Sequence, residues 1–294
     1  MKNKLKAILL GLLLVVSLVA AGCTGQDGTS EEAESMKTYV VLGDPGWDDS
    51  RANTQVLKQI LESTGNYEVE IVNADLGAIY QGVAQGEIDA YVSAWLPHTQ
   101  GQYWEKYEDK LDYVGNISTG AKTGLVVPSY VTIDSIAELN SEKEKFGGII
   151  QGIEPGAGIM QTTETAIEEY ELDYKLSAAS TVGMVTELQR AINNEEWIVV
   201  TLWSPHWAFS RMDLKYLDDP KGAFGGSDNI VAVAPKTLKV DKPELYEIIS
   251  RYTMNISDIE AIMLDIDKGM TPEEAAAKWL EENPEKYNEV LGTE

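Results

Sequence analysis

The sequence predicts an α/β protein built from two similar lobes that face each other across a cleft. Three observations predict it. Strand-like apolar runs alternate with segments of helical periodicity along most of the chain. A short pattern recurs, with Trp95-Leu96-Pro97-His98 and Trp203-Ser204-Pro205-His206 each following an apolar run, and together they hold both histidines of the chain. Two further apolar segments, Gly124–Pro128 and Asn229–Ala234, read as crossings between the lobes. In open α/β sheets, ligands bind beyond the carboxyl ends of the strands. The repeat therefore predicts one Trp from each lobe at that edge.

The chain opens with Lys2, Lys4 and Lys6, then an apolar stretch from Ala7 to Ala21. That stretch is shorter than the roughly 20 residues of a membrane span and fits a secretory signal over residues 1–22. Ala20-Ala21-Gly22-Cys23 resembles the lipobox of bacterial lipoproteins, with Ala20 where that motif more often has Leu. The resemblance implies cleavage before Cys23, a lipid anchor on its thiol and an extracytoplasmic site on the cell membrane. Cys23 is the only cysteine, so no disulfide is expected and a large core must carry stability. Residues 23–36 are polar and acidic without periodicity, as in a flexible tether. No later segment is apolar for long enough to cross a bilayer.

The body begins with a strand over Thr38–Gly43 and a turn containing Trp47. A helix follows, with Ala52, Val56, Leu57, Ile60 and Leu61 on one face and Ser50 as the expected N-cap. Gly65-Asn66 stops it. A strand around Val69–Val72, a short helix at Ile79–Gln85 and the strand into Trp95 complete a unit with a mostly parallel sheet. The second unit starts near Ile133. It has a strand at Gly148–Ile153, helices near Thr162–Tyr170 and Gly183–Asn193, and the strand into Trp203. From Pro243 the pattern is helical, with further helices near Ile256–Asp267 and Pro272–Glu281. Residues 37–127 and 230–294 would form lobe 1, and residues 128–229 lobe 2.

The net charge is −25, from 48 acidic against 23 basic residues. This excludes a nucleic-acid partner, which needs a basic footprint, and disfavours an anionic substrate drawn in by long-range steering. A cationic or zwitterionic ligand is compatible with it. Trp47, Trp95 and Trp203, out of seven tryptophans, are each expected just past a strand. Indole faces attract a poorly hydrated organic cation at about 0.5–2 kcal/mol per ring. The loop Pro155-Gly156-Ala157-Gly158-Ile159-Met160 separates a strand from a helix. A helix N-terminus offers free N–H groups to an anion, and a zwitterion would present one beside its ammonium.

With these segments, the chain resembles the glycine betaine and quaternary-amine binding proteins of ABC importers. The resemblance runs from about Thr38 to Trp279. It rests on Ala94-Trp95-Leu96-Pro97, Gly156-Ala157-Gly158-Ile159-Met160, Trp203-Ser204-Pro205-His206-Trp207 and Asp218-Asp219-Pro220-Lys221. It implies a two-lobed type II periplasmic-binding-protein fold with a hinged central cleft. It also implies a monomer that serves a permease and needs no cofactor or metal. Within that fold it implies a cage of Trp47, Trp95 and Trp203 around a trimethylammonium, with the amides of Gly158 and Ile159 on a carboxylate. Relatives often carry a carboxylate-binding His where this chain has Gln100, and here a His stands at His98 instead. Either side chain is open as the donor. Asp49 would favour choline if it faces the cleft; otherwise it caps the helix or meets solvent.

Glycine betaine is the expected ligand, with choline or carnitine as alternatives of the same fold. A different class, an extracellular hydrolase, finds little support. The chain has no Gly-x-Ser-x-Gly elbow, no His-Glu-x-x-His motif and no cysteine nucleophile in its body. Only a carboxylate pair among the 48 acidic residues could serve one.

Overall fold

The computed structural model describes residues 36–293. The expected leader, Cys23 and the tether up to Ser35 lie outside the described residues, as does Glu294. The chain begins with β1 (Thr38–Asp44), α1 (Asp48–Ser63), β2 (Tyr67–Asn73), α2 (Leu76–Gln85), β3 (Ala90–Leu96) and α3 (Gly101–Tyr107). A long strand, β4 (Leu111–Pro128), leads through a 3-10 turn to β5 (Ile149–Gln151), α4 (Gly158–Glu169), β6 (Lys175–Ser177) and α5 (Thr181–Asn193). Next come β7 (Val200–Ser204), α6 (Ala208–Arg211), β8 (Leu214–Tyr216) and β9 (Ser227–Pro235). The chain closes with α7 (Leu238–Asp241), α8 (Pro243–Arg251), α9 (Ile256–Asp267), α10 (Pro272–Glu282) and α11 (Glu285–Leu291).

Among the described residues nine strands form one sheet, ordered β2-β1-β3-β9-β4-β7-β5-β6, with β8 paired to β4. Both ends of the order are parallel: β1 lies between β2 and β3, and β5 lies between β6 and β7. The centre is antiparallel, because β4 leaves the first half and β9 returns to it. The expectation of a mostly parallel sheet therefore holds for each end and not for the two crossings. β4 pairs with β9 along Leu111–Lys122 and then with β7 along Lys122–Val126. Three register shifts interrupt its pairing with β9. Irregularities of this kind bend a strand and increase its twist, so one strand can serve both halves.

The helices bury the faces their spacing predicts. Ala52, Val56, Leu57, Ile60 and Leu61 of α1 are fully buried, as are Val40 and Leu42 of β1. Each buried Val, Leu or Ile contributes about 1.5–3 kcal/mol relative to exposure. Every residue of β3 is buried, as expected of a strand covered on both faces. One expectation fails. Helix α1 starts at Asp48 with Trp47 at the N-cap, and Ser50 lies fully buried within the first turn. Asp48 and Asp49 there meet the positive end of the helix dipole, so the helix starts without a side-chain cap.

Candidate functional site

Each tryptophan of the predicted trio is placed by its own strand. Asp44 ends β1, and its Oδ1 accepts the Gly46 N–H at 2.8 Å. Gly46 has φ +90°, a conformation open to glycine, and the tight turn delivers Trp47 to the start of α1. Trp95 is the penultimate residue of β3 and Trp203 the penultimate residue of β7. Both thus belong to the strands rather than to the loops beyond them. They are 4% and 5% exposed, and Trp203 stands opposite Thr123 on the crossing strand β4.

The three rings line one small cavity. Asp49, Gln100, Gly158 and Ile159 line the same cavity. Thr99, Thr123, Ile153 and Ala157 complete the wall. His98 is exposed and does not line it. Its ring is so close to Gly225 that a Cβ there would lie 2.3 Å from Cγ of the imidazole. His206 is 1% exposed and braces the second loop: its Nδ1 accepts the Ala208 N–H at 3.0 Å. Its ring meets Trp203 edge to face, with centroids 4.8 Å apart. Burial pushes its pKa down to about 3, so it stays neutral.

Gly158 opens α4, whose N-cap Ala157 supplies no side-chain bond. The first N–H groups of a helix have no intrahelical acceptor, and those of Gly158 and Ile159, beside the cavity, have no backbone acceptor outside the helix among the described residues. A Cβ on Gly158 would sit 2.1 Å from the Thr99 carbonyl oxygen. Only glycine lets α4 approach the 97–100 loop this closely.

That loop is held by a residue without a motif. Asp228, 1% exposed at the start of β9, accepts the His98 N–H at 2.7 Å, the Thr99 N–H at 3.0 Å and the Thr99 hydroxyl at 2.5 Å. Thr99 Oγ1 also lies 3.2 Å from Thr123 Oγ1. Gln100 is 2% exposed. Its Oε1 accepts the Tyr80 hydroxyl at 2.9 Å, and its Nε2 donates to the Tyr91 hydroxyl at 3.4 Å. One amide hydrogen of Gln100 is left over.

Among the described residues Asp49 is the only carboxylate on the cavity wall. Burial pushes its pKa up to about 7, with further upward contributions from Asp48 and Asp44. Its own amide and the Trp95 indole N–H oppose the shift. Ser93 Oγ donates to Oδ2 at 3.3 Å, whereas Oδ1 has no hydrogen-bond partner among the described residues. The sequence contains no local signal for Thr99, Thr123 or Asp228, because each reaches the site only through pairing of distant strands and loops.

Three aromatic walls, a helix N-terminus and a neutralisable carboxyl on one mixed α/β sheet define a protein of the periplasmic substrate-binding class. The chain belongs to the family described as the substrate-binding domain of the ABC-type glycine betaine transport system, whose model matches residues 38–282. It is similar to the glycine betaine/carnitine transport binding protein GbuC of Listeria monocytogenes serotype 1/2a (strain 10403S), at 43% identity over 146 residues. That match covers 49% of this chain and 49% of the relative, so it spans about half the length of that protein. Among solved structures, lactococcal OpuAC in its closed conformation with glycine betaine is 40% identical, with a TM-score of 0.83. The likeness covers 87% of this chain and 100% of that one. An ABC-transporter choline binding protein in complex with choline is 25% identical, with a TM-score of 0.81, over 86% of this chain and 91% of that one.

Proposed function

We propose that this chain is an extracytoplasmic, non-enzymatic receptor that captures glycine betaine, or a close quaternary-ammonium solute, for an ABC importer serving osmoprotection. A lipid on Cys23 holds it at the cell membrane. The observation that carries this reading is the meeting of Trp47, Trp95 and Trp203 with the N-terminus of α4 at one cavity. The trimethylammonium lies against the indole faces, which attract it without needing a hydrogen bond from it. The carboxylate lies at the amides of Gly158 and Ile159, where free N–H groups and the helix dipole favour an anion. The spare amide hydrogen of Gln100 is a further donor within the same wall. His98, exposed and off the wall, has no part in it. Residues 37–127 with 230–294 form one lobe and residues 128–229 the other. They close over the ligand, and the closed form docks on the permease.

A second reading, choline, rests on Asp49. Its unpartnered Oδ1 on the cavity wall suits a cation that carries no carboxylate. Calorimetric titration of the chain from Thr24 onward against glycine betaine, carnitine, choline and unmethylated glycine separates the readings. Binding of glycine betaine without glycine is the expected result. Choline binding more tightly than betaine would transfer the assignment to Asp49. Heat from none of the four would overturn the functional reading.

A further inference from the structure

We propose that Glu154 and Asp48 latch the cavity shut by accepting indole N–H bonds from Trp47 and Trp207, with Glu154 serving as a positioning residue for the Trp47 wall. The proposal rests on the reading above, in which two lobes close over a ligand.

Trp47 and Asp48 are consecutive residues between β1 and the first turn of α1. Trp47 Nε1 donates to Glu154 Oε2 at 3.2 Å, and Trp207 Nε1 donates to Asp48 Oδ2 at 3.2 Å. Glu154 follows β5 and Trp207 follows β7. Both partners therefore come from the β7-β5-β6 end of the sheet, whereas Trp47 and Asp48 come from the β2-β1-β3 end. The two bonds run in opposite directions: each end of the sheet supplies one donor and one carboxylate. An indole N–H can only donate and a carboxylate only accept, and in both bonds the donor and its acceptor come from opposite ends of the sheet.

Each partner is aimed beforehand by its own side. Glu154 Oε1 accepts the Thr181 N–H at 2.9 Å, and Oε2 accepts the Thr181 hydroxyl at 2.9 Å, which ties the carboxylate to the start of α5. Asp48 pairs with Arg51 at 3.4 Å on its own helix. Trp207 lies between the His206 ring, with centroids 5.2 Å apart, and the Arg211 guanidinium, 5.9 Å from its centroid. A third bond spans the same gap, from the Tyr103 hydroxyl to the Gly156 carbonyl at 2.8 Å.

The effect belongs to release rather than capture. All four latch side chains are partly exposed, so water can replace the partner of each when the ends separate, and the open form loses little. The bonds exist only with the ends together, so they slow opening and leave encounter untouched. Glu154 does more than Asp48, because its partner Trp47 is also a wall of the cavity. When that indole N–H is tied, the ring face is fixed toward the bound cation.

The test is stopped-flow tryptophan fluorescence with glycine betaine as the probe. Glu154→Ala and Trp207→Phe should each speed dissociation by about five- to tenfold, as expected for a partly exposed hydrogen bond to a charged group. Association rates should stay within about twofold of wild type. Glu154→Ala also loses two bonds to Thr181, so it is the ligand-free melting temperature of Trp207→Phe that should be unchanged, which separates a latch from a general loss of packing. Glu154→Gln, which keeps an acceptor oxygen, should recover most of the residence time. Asp48→Ala combined with Trp207→Phe should be no faster than the quicker single variant, because the two share one bond. Wild-type dissociation in Glu154→Ala and Trp207→Phe would overturn the latch while leaving the functional reading intact. So would a loss confined to association, or independent multiplication of the Asp48 and Trp207 effects. Wild-type protein that binds no glycine betaine would remove both.

Discussion

A methylated ammonium offers no N–H to a protein, so its recognition depends on ring faces and on the absence of water between them. Trp95 and Trp203 are almost fully buried at the cavity wall, where the attraction per ring is at the upper end of about 0.5–2 kcal/mol. Trp95→Ala or Trp203→Ala should each weaken glycine betaine binding by about tenfold or more. Phe at either position, which keeps a face with a weaker quadrupole, should lose less. Calorimetry reads both, and unchanged affinity in both alanine variants would rule out the cage.

Asp49 adds a dependence on pH whose sign can be worked out. Burial raises its folded pKa to about 7, above the unfolded carboxylate range. The folded form then holds the proton more tightly, and Asp49's contribution to ligand-free stability falls as pH rises from about 4 to about 7. Choline, which carries no carboxylate, prefers the ionised form. Its affinity should rise with pH by up to about tenfold per unit below pH 7 and level off above it. Asp49→Asn should flatten that profile, and choline affinity that is flat with pH in the wild type would contradict the assignment.

At the level of elements, the loop after β3 does the joining. Asp228 holds it from β9 by three hydrogen bonds. The Thr99 carbonyl in turn abuts Gly158 at the head of α4. Removing the Asp228 carboxylate leaves the buried or half-buried N–H groups of His98 and Thr99 without an acceptor, and the Thr99 hydroxyl with only Thr123 in reach. Asp228→Ala should therefore destabilise the protein by about 2–4 kcal/mol, read from urea unfolding, and should weaken betaine binding as the loop loosens. A change under about 0.5 kcal/mol would show that the clamp is dispensable. The crossing strand β4 carries the other constraint: its register shifts let it leave β9 and join β7, which sets Thr123 against Trp203.

For the whole molecule, the reading predicts motion about the two crossing strands, with the ends of the sheet drawing together around a ligand. Small-angle scattering should show a smaller radius of gyration with saturating glycine betaine than without it. Identical curves would contradict closure.

The alternation of strand and helix, the two strands ending in Trp, and the glycine loop ahead of α4 were legible in the sequence. Each is a local pattern whose meaning depends on neighbours within a few residues. The first part of β4 was not, because Gly115, Asn116 and Gly120 carry little strand preference of their own and become strand by pairing with β9. The three-residue strands β6 and β8 are too short to show a period. Ser50 looked like a cap because its type suits one, yet the helix begins earlier and buries it.

By itself, the sequence determined the longer helices, the strands that carry Trp95 and Trp203, and which residue types would suit a methylated cation and its carboxylate. Tertiary structure alone decided that Gln100 lies on the cavity wall and His98 does not, that Asp49 is buried there, and that Asp228, Glu154 and Trp207 support the site. Those outcomes depend on which distant backbone comes within hydrogen-bond reach, and residue order along one strand cannot specify that distance.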